Sequence, residues 1–224
     1  MNLNFIGIGG AFNSELGCNS AYIEENNKIL FIDLGLDTFE KIVKYNLVNK
    51  NKEIYILLTH LHGDHVGGLP TFIQYCDAYF NLKVKIINNS ESFTREVIKL
   101  LNLTGVKTSL YEFINLDIPF SFKLELKRTT HTPLLECYSI IFNEDNKKTL
   151  YTSDSNDFEY LKEKINDENF VKIYSEVGTS SFVHMDYNLI KTLNKEKLIL
   201  MHIESIDLYN KIVKDGYKTP TFLK

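Results

Sequence analysis

Ile54-Tyr55-Ile56-Leu57-Leu58-Thr59-His60-Leu61-His62-Gly63-Asp64-His65 is the stretch on which the reading of this chain turns. Its first five residues form a continuous apolar run, the pattern of a strand buried on both faces. His60 and His62 stand two apart as the chain leaves that strand, so both side chains can point to one side. Gly63 permits a sharp fold that brings Asp64 and His65 round to face a second point. Three imidazoles and a carboxylate this close together make sense as a ligand cluster, because nitrogen and carboxylate donors suit zinc and similar divalent ions. The bland alternative is a chance histidine-rich turn, and the remainder of the chain argues against it.

Ligand-type residues recur where other apolar segments end. Asp33 closes Ile29-Leu30-Phe31-Ile32, and His131 follows Lys123 to Arg128. Asp154 follows Leu150-Tyr151-Thr152, and His202 follows Leu198-Ile199-Leu200-Met201. A lone Asp at a strand end is usually a turn cap, and a lone His is usually a hydrogen-bonded core or surface group. Their joint order with the cluster changes that reading. The carboxyl edge of several strands is where open sheets place ligand chemistry.

The elements alternate along the chain. Strands are expected over Leu3 to Ile8, Ser20 to Glu24 and Lys28 to Asp33, the last two flanking the tight-turn pair Asn26-Asn27. Thr38 is expected to cap a helix running to about Tyr45, and Leu69 to Phe80 has helical spacing with Pro70 near its start. A strand at Lys83 to Ile87 and a helix from Ser90 to Leu103 follow. The middle is β-rich (Ser109 to Phe113, Lys123 to Arg128, Tyr138 to Phe142, Thr149 to Thr152), with Asn143 to Lys148 as a polar turn. Asp157 to Ile165, Asp186 to Leu193 and Ser205 to Asp215 read as helices, between strands Val171 to Glu176 and Lys197 to Met201. Two β-rich halves edged by helices predict an α/β four-layer αββα sandwich, with residues 1–224 as one domain.

Composition narrows the function classes. A chain of 224 residues with 44% hydrophobic and 24% charged residues reads as a globular protein. The formal charge of -4 and only two arginines, Arg95 and Arg128, argue against an extended RNA partner. No apolar run approaches a membrane span, and no signal peptide is evident. Cys18, Cys76 and Cys137 are odd in number and form no C-x-x-C pair, which points to a reducing cytoplasm. Phe12, Phe182 and Tyr187 offer aromatic faces on which a base could stack, or they are simply core. Gly7-Ile8-Gly9-Gly10 is not a nucleotide fingerprint, because Phe12 takes the third glycine's place and no helix is expected to follow.

The order D…HxHxDH…H…D…H resembles the metallo-β-lactamase superfamily over nearly the whole chain. The resemblance implies two divalent metal ions, with zinc the usual one and manganese or magnesium as alternatives. It implies His60, His62 and His131 as ligands of one ion and Asp64, His65 and His202 as ligands of the other. Asp154 would bridge them, and Asp33 would support the metal loop from behind. His62-Gly63-Asp64-His65-Val66-Gly67-Gly68-Leu69-Pro70 is similar to the ribonuclease Z-like phosphodiesterase branch. In that branch a Glu and a His act as a pair beside the metals, which here implies Glu176 orienting His184 as proton donor to the leaving group.

A true tRNA-processing enzyme would carry a long arm between the positions of His131 and Asp154, and this chain has only a short polar turn there. The compact form is most similar to the anti-Pycsar phosphodiesterases, which open cyclic mononucleotides. The expected function is therefore hydrolysis of 3′,5′-cyclic nucleotides with the hydroxide that two metals supply, by a homodimer using the aromatic-rich Leu69 to Phe80 helix as its interface. The alternatives are a tRNA 3′ endonuclease, an acyl (thioester or lactone) hydrolase, and a metal- or nucleotide-binding protein without turnover.

Overall fold

A computed structural model of the chain describes residues 1–180 and 182–224. Among the described residues, eleven strands form two sheets. The first holds β1 (Asn4–Gly7), β2 (Ser20–Glu25), β3 (Lys28–Ile32), β4 (Glu53–Leu57), β5 (Val84–Ile87) and β6 (Tyr111–Ile114), in that spatial order. The second runs β11 (Leu198–Ile203), β10 (Phe170–Val177), β9 (Lys147–Tyr151), β8 (Cys137–Glu144) and β7 (Lys123–Thr129). Strands β3 to β6 are parallel, as are β9, β10 and β11, so each sheet presents a carboxyl edge.

The apolar run of β4 is buried on both faces, as its composition predicts. Ile54, Ile56 and Leu58 pack outward against α1 (Thr38–Lys44), α3 (Leu69–Phe80) and α4 (Glu91–Leu103) through Ile42, Phe72 and Phe93. Tyr55 and Leu57 face the second sheet, where they join Ile140 and Leu200. That sheet is covered on its far side by α5 (Phe158–Asn166) and α7 (Ile206–Lys214), which insert Leu161 and Leu208. The layers are helix, sheet, sheet, helix. Each fully buried Leu, Ile or Phe in them contributes roughly 1.5–3 kcal/mol.

Four local expectations are corrected. Thr38 does not cap α1: Asp37 precedes the helix, and the buried Thr38 hydroxyl bonds Ser20 Oγ at 2.8 Å. The helix expected from Asp186 to Leu193 is only α6 (Tyr187–Ile190), capped by the Asp186 side chain. The turn between β8 and β9 is tighter than expected, with Asp145 and Asn146 at φ 48° and 65°. Gly63 makes no special turn; it opens the short helix α2 (Gly63–Val66), and a Cβ there would meet nothing within 4 Å. Gly35 is crowded: a Cβ there would lie 2.2 Å from the Asp64 carbonyl oxygen, so the loop after β3 can press against the cluster only without a side chain.

The two sheets meet at the end of the molecule where the parallel strands finish. Ile203 N donates to the Ile8 carbonyl at 2.8 Å, and Gly10 N donates to the Ile203 carbonyl at 3.0 Å. Asp33, Ser153 and His202 sit in the left-handed region there, at φ 59°, 54° and 47°. Such strain in non-glycine residues collects where surrounding structure enforces a functional geometry.

Candidate metal centre

The carboxyl edges bring all seven expected ligands together. In one group His60 Nε2 lies 3.1 Å from His62 Nδ1, and His131 Nε2 lies 3.2 Å from the same atom. Asp154 Oδ2 completes it, 3.8 Å from His60 Nε2 and 3.6 Å from His131 Nε2. In the other group Asp64 Oδ2 lies 3.3 Å from His65 Nε2 and 3.2 Å from His202 Nε2. Asp154 Oδ1 is 3.2 Å from His65 Nε2 and 3.3 Å from His202 Nε2. One carboxylate thus turns an oxygen to each group.

The donor set fits divalent metal ions. His65 Nε2 and Asp154 Oδ1 are buried and close, yet neither has a hydrogen-bond partner among the described residues. Each such orphan costs about 1–3 kcal/mol, which an ion held between them would offset. His60, His65 and Asp154 are at most 1% exposed, so an ion here would be largely enclosed by protein.

Asp33 organises both groups from behind. Its Oδ1 accepts from Thr59 N at 2.8 Å, and its Oδ2 accepts from Thr59 Oγ1 at 2.7 Å and from His65 Nδ1 at 2.8 Å. Thr59 Oγ1, its proton committed to Asp33, accepts from His60 Nδ1 at 3.1 Å. One buried carboxylate therefore fixes the tautomer of a histidine in each group, leaving Nε2 of each free as a ligand. His131 is fixed separately, donating from Nδ1 to the Val183 carbonyl at 2.6 Å.

Burial pushes His60, His62 and His131 below the ordinary imidazole value, which keeps their lone pairs available. Burial also opposes the charged form of His65 and His202. At His65 the Asp154 and Asp33 charges outweigh it; at His202 the Asp154 charge and the Asp64 hydrogen bond do. Burial would raise Asp154, but the His202 and His65 charges hold it well below the carboxylate range.

Beside the ligands, Glu176 Oε2 accepts from His184 Nδ1 at 2.7 Å, and Glu176 Oε1 accepts from Ser155 N. Burial lifts Glu176 to about 7, against its hydrogen bond from His184. Burial lowers His184, but the Glu176 bond and charge more than offset it and carry the ring to about 9. The pair therefore retains a proton through the neutral range.

A cavity of about 490 Å³ opens onto the two groups. Phe12, Leu36, Thr132, Val183 and His184 line it, and no lysine or arginine does among the described residues. Phe12 is fully exposed and Phe182 is 84% exposed, so neither belongs to the core. Tyr187 does: it is buried, and its hydroxyl donates to Asp215 Oδ2 at 2.8 Å, which corrects its reading as a stacking surface. Sequence reasoning missed Leu36, Thr132 and Val183. The last two neighbour His131 and His184, and adjacency was the signal that could have found them.

A family model described as anti-Pycsar protein Apyc1 matches residues 1–219. The chain belongs to the anti-Pycsar Apyc1 family. The anti-Pycsar protein Apyc1 of Paenibacillus harenae is 25% identical over 228 residues, covering 93% of this chain and 92% of that protein. A ribonuclease Z of Sulfolobus acidocaldarius is 27% identical over 198 residues, covering 84% of this chain and 63% of that protein. Among solved structures, the metallo-β-lactamase fold protein YhfI from Bacillus subtilis superposes with a TM-score of 0.71 at 19% identity, covering 99% of this chain and 96% of that one. The αββα sandwich of the metallo-β-lactamase type is thereby established. No helix among the described residues is long and apolar enough to cross a membrane.

Proposed function

We propose that residues 1–224 act as a single hydrolase domain that cleaves 3′,5′-cyclic nucleotides to linear nucleotides with two divalent ions, zinc foremost. The observation that carries this reading is the position of Asp154 between two candidate ligand groups, with His184 lining the same cavity and Glu176 buried behind it. His60, His62, His131 and Asp154 would hold one ion, and Asp64, His65, His202 and Asp154 the other. Two bound ions supply charge stabilisation for both the attacking and the leaving oxygen of an in-line displacement.

The chain's own groups do the rest. Glu176 occupies Nδ1 of His184, so Nε2 is the nitrogen left to face the substrate and protonate the departing ribose oxygen. Asp33 and Thr59 keep the ligand rings from turning. Phe12 and Phe182 offer exposed faces for a base. A cavity that no described lysine or arginine lines suits a substrate with one phosphodiester charge better than a polynucleotide. The two-residue turn between β8 and β9 leaves no arm to grip a tRNA.

A homodimer is supported by α3, whose Phe72, Ile73 and Cys76 are core while Tyr75 and the 74% exposed Tyr79 form an aromatic outer face with Phe39. Light scattering at micromolar concentration tests it. Three buried, unpaired thiols support a reducing cytoplasm.

The activity is tested by chromatography of products after incubating metal-loaded protein with cyclic mononucleotides, cyclic dinucleotides, a precursor tRNA and acyl substrates. Linear nucleotide from cyclic mononucleotides is expected. Turnover of only the tRNA or an acyl ester would replace the proposal, and binding without turnover would make the chain a sequestering protein.

A further inference from the structure

The loop after β9 holds three consecutive residues that reach three parts of the site. Asp154 lies between the ligand groups, and Ser155 N donates to Glu176. Asn156 reaches furthest. Its backbone N donates to the Thr130 carbonyl at 2.9 Å, and its Oδ1 accepts from Thr130 Oγ1 at 2.7 Å. Its Nδ2 donates to the Phe182 carbonyl at 2.8 Å. Thr130 immediately precedes His131, and Phe182 lies two residues before His184.

The segment carrying His184 is anchored on its far side by Met185, which is 1% exposed and whose carbonyl accepts from Gly178 N at 2.8 Å, and by the bond from His184 to Glu176. Phe182 is 84% exposed, so its side chain does not anchor the backbone. The ties before His184 are polar. The Phe182 carbonyl is held by Asn156 and the next carbonyl, of Val183, by the ring of His131. At the segment's start, Thr179 N donates to Glu204 Oε2 at 2.6 Å. Its side-chain amide accepts from Thr130 through the oxygen and donates to Phe182 through the nitrogen, a pairing that a carboxylate cannot make. Asn156 is half-buried and does not line the cavity, so it acts without touching substrate.

We infer that Asn156 is a positioning residue whose side chain locks the segment bearing His184 onto the loops bearing His131 and Asp154. The inference rests on the proton-donor role proposed for His184. Asn156→Asp is the decisive variant, because it keeps the shape and the Thr130 acceptor but turns a carboxylate oxygen towards the Phe182 carbonyl.

The experiment uses the full, metal-loaded chain. Loss of one hydrogen bond of this kind predicts a fall in kcat of about tenfold, with KM and bound metal unchanged. In a His184→Ala background the same substitution causes no further fall, because the two act as a unit. Without substrate, amide hydrogen exchange at residues 182–184 quickens by about tenfold. A loss that multiplies with that of His184→Ala, or that follows loss of metal, would overturn the inference. If the unaltered protein turns over no cyclic nucleotide, the proposed function fails on its own, and exchange still decides: unchanged protection at 182–184 overturns the positioning role. Should Asn156→Asp fold poorly, Thr130→Val removes the other half of the bridge and is read by the same exchange.

Discussion

The floor of the site and its rim are built by opposite means. On the floor, Asp33, His60, His65 and Asp154 are at most 1% exposed, and the Nδ1 atoms of His60 and His65 are bonded to Thr59 and Asp33. At the rim, Phe12 is fully exposed and Leu36 is 66% exposed; Phe182, 84% exposed, does not line the cavity but adjoins Val183, which does. Floor positions are over-determined by the two sheets, whereas the rim is held by a few loop hydrogen bonds. A buried, pre-set floor suits chemistry that tolerates little displacement, and an adaptable apolar rim suits recognition of a planar base.

The largest effect tests the floor. Asp64→Ala combined with His65→Ala removes two proposed ligands from one group and should lower kcat about a thousandfold or more, since an ion's charge stabilisation is worth several kcal/mol. Circular dichroism should show the fold retained. Residual activity within tenfold would mean that the floor is not where the chemistry happens. Next comes His184→Ala, expected to lower kcat by about 10²–10⁴ with metal content intact, as read by steady-state kinetics beside elemental analysis. Full turnover by that variant would remove the proton-donor role and leave Glu176 a purely structural carboxylate.

Asp33→Asn separates support from ligation. It removes the charge that the His65 ring donates to while keeping the shape, and a change behind a ligand typically costs about 10–100-fold in metal affinity. Competition with a chelating dye measures it; unchanged affinity would show that the sheets alone set the ligand rings. The smallest effect belongs to the rim. Phe12→Ala should raise KM about five- to tenfold, the low end of base stacking, with kcat little altered. A kcat loss as large as that of His184→Ala would erase the distinction between floor and rim.

The same contrast explains what could be read from the sequence. The floor was legible because His60, His62, Asp64 and His65 crowd ligand-type side chains directly after the apolar run of β4, and the structure brings them together with His131, Asp154 and His202. The fold followed from that run and from the alternation around it, since Ile54 and Ile56 face helices while Tyr55 and Leu57 face the second sheet. The rim was less legible. Tyr187 and Phe182 look alike in sequence, yet one is buried against Asp215 and the other is exposed, because only the three-dimensional path of the segment after β10 separates them. Asn156 was invisible for a different reason: an asparagine after a strand is ordinary turn composition. Its partners lie 26 residues away in either direction. The left-handed backbone at Asp33, Ser153 and His202 carries no sequence mark either, because none of them is glycine.

The most direct test of the central claim is the number of ions the purified chain binds when titrated with zinc, read by elemental analysis after removal of excess metal. Asp154 facing both ligand groups predicts two equivalents per chain in the unaltered protein. It predicts fewer than two after Asp154→Ala, because each group loses the same shared carboxylate. A plateau at one equivalent in the unaltered protein, or two retained without Asp154, would contradict the paired site on which the proposed reaction depends.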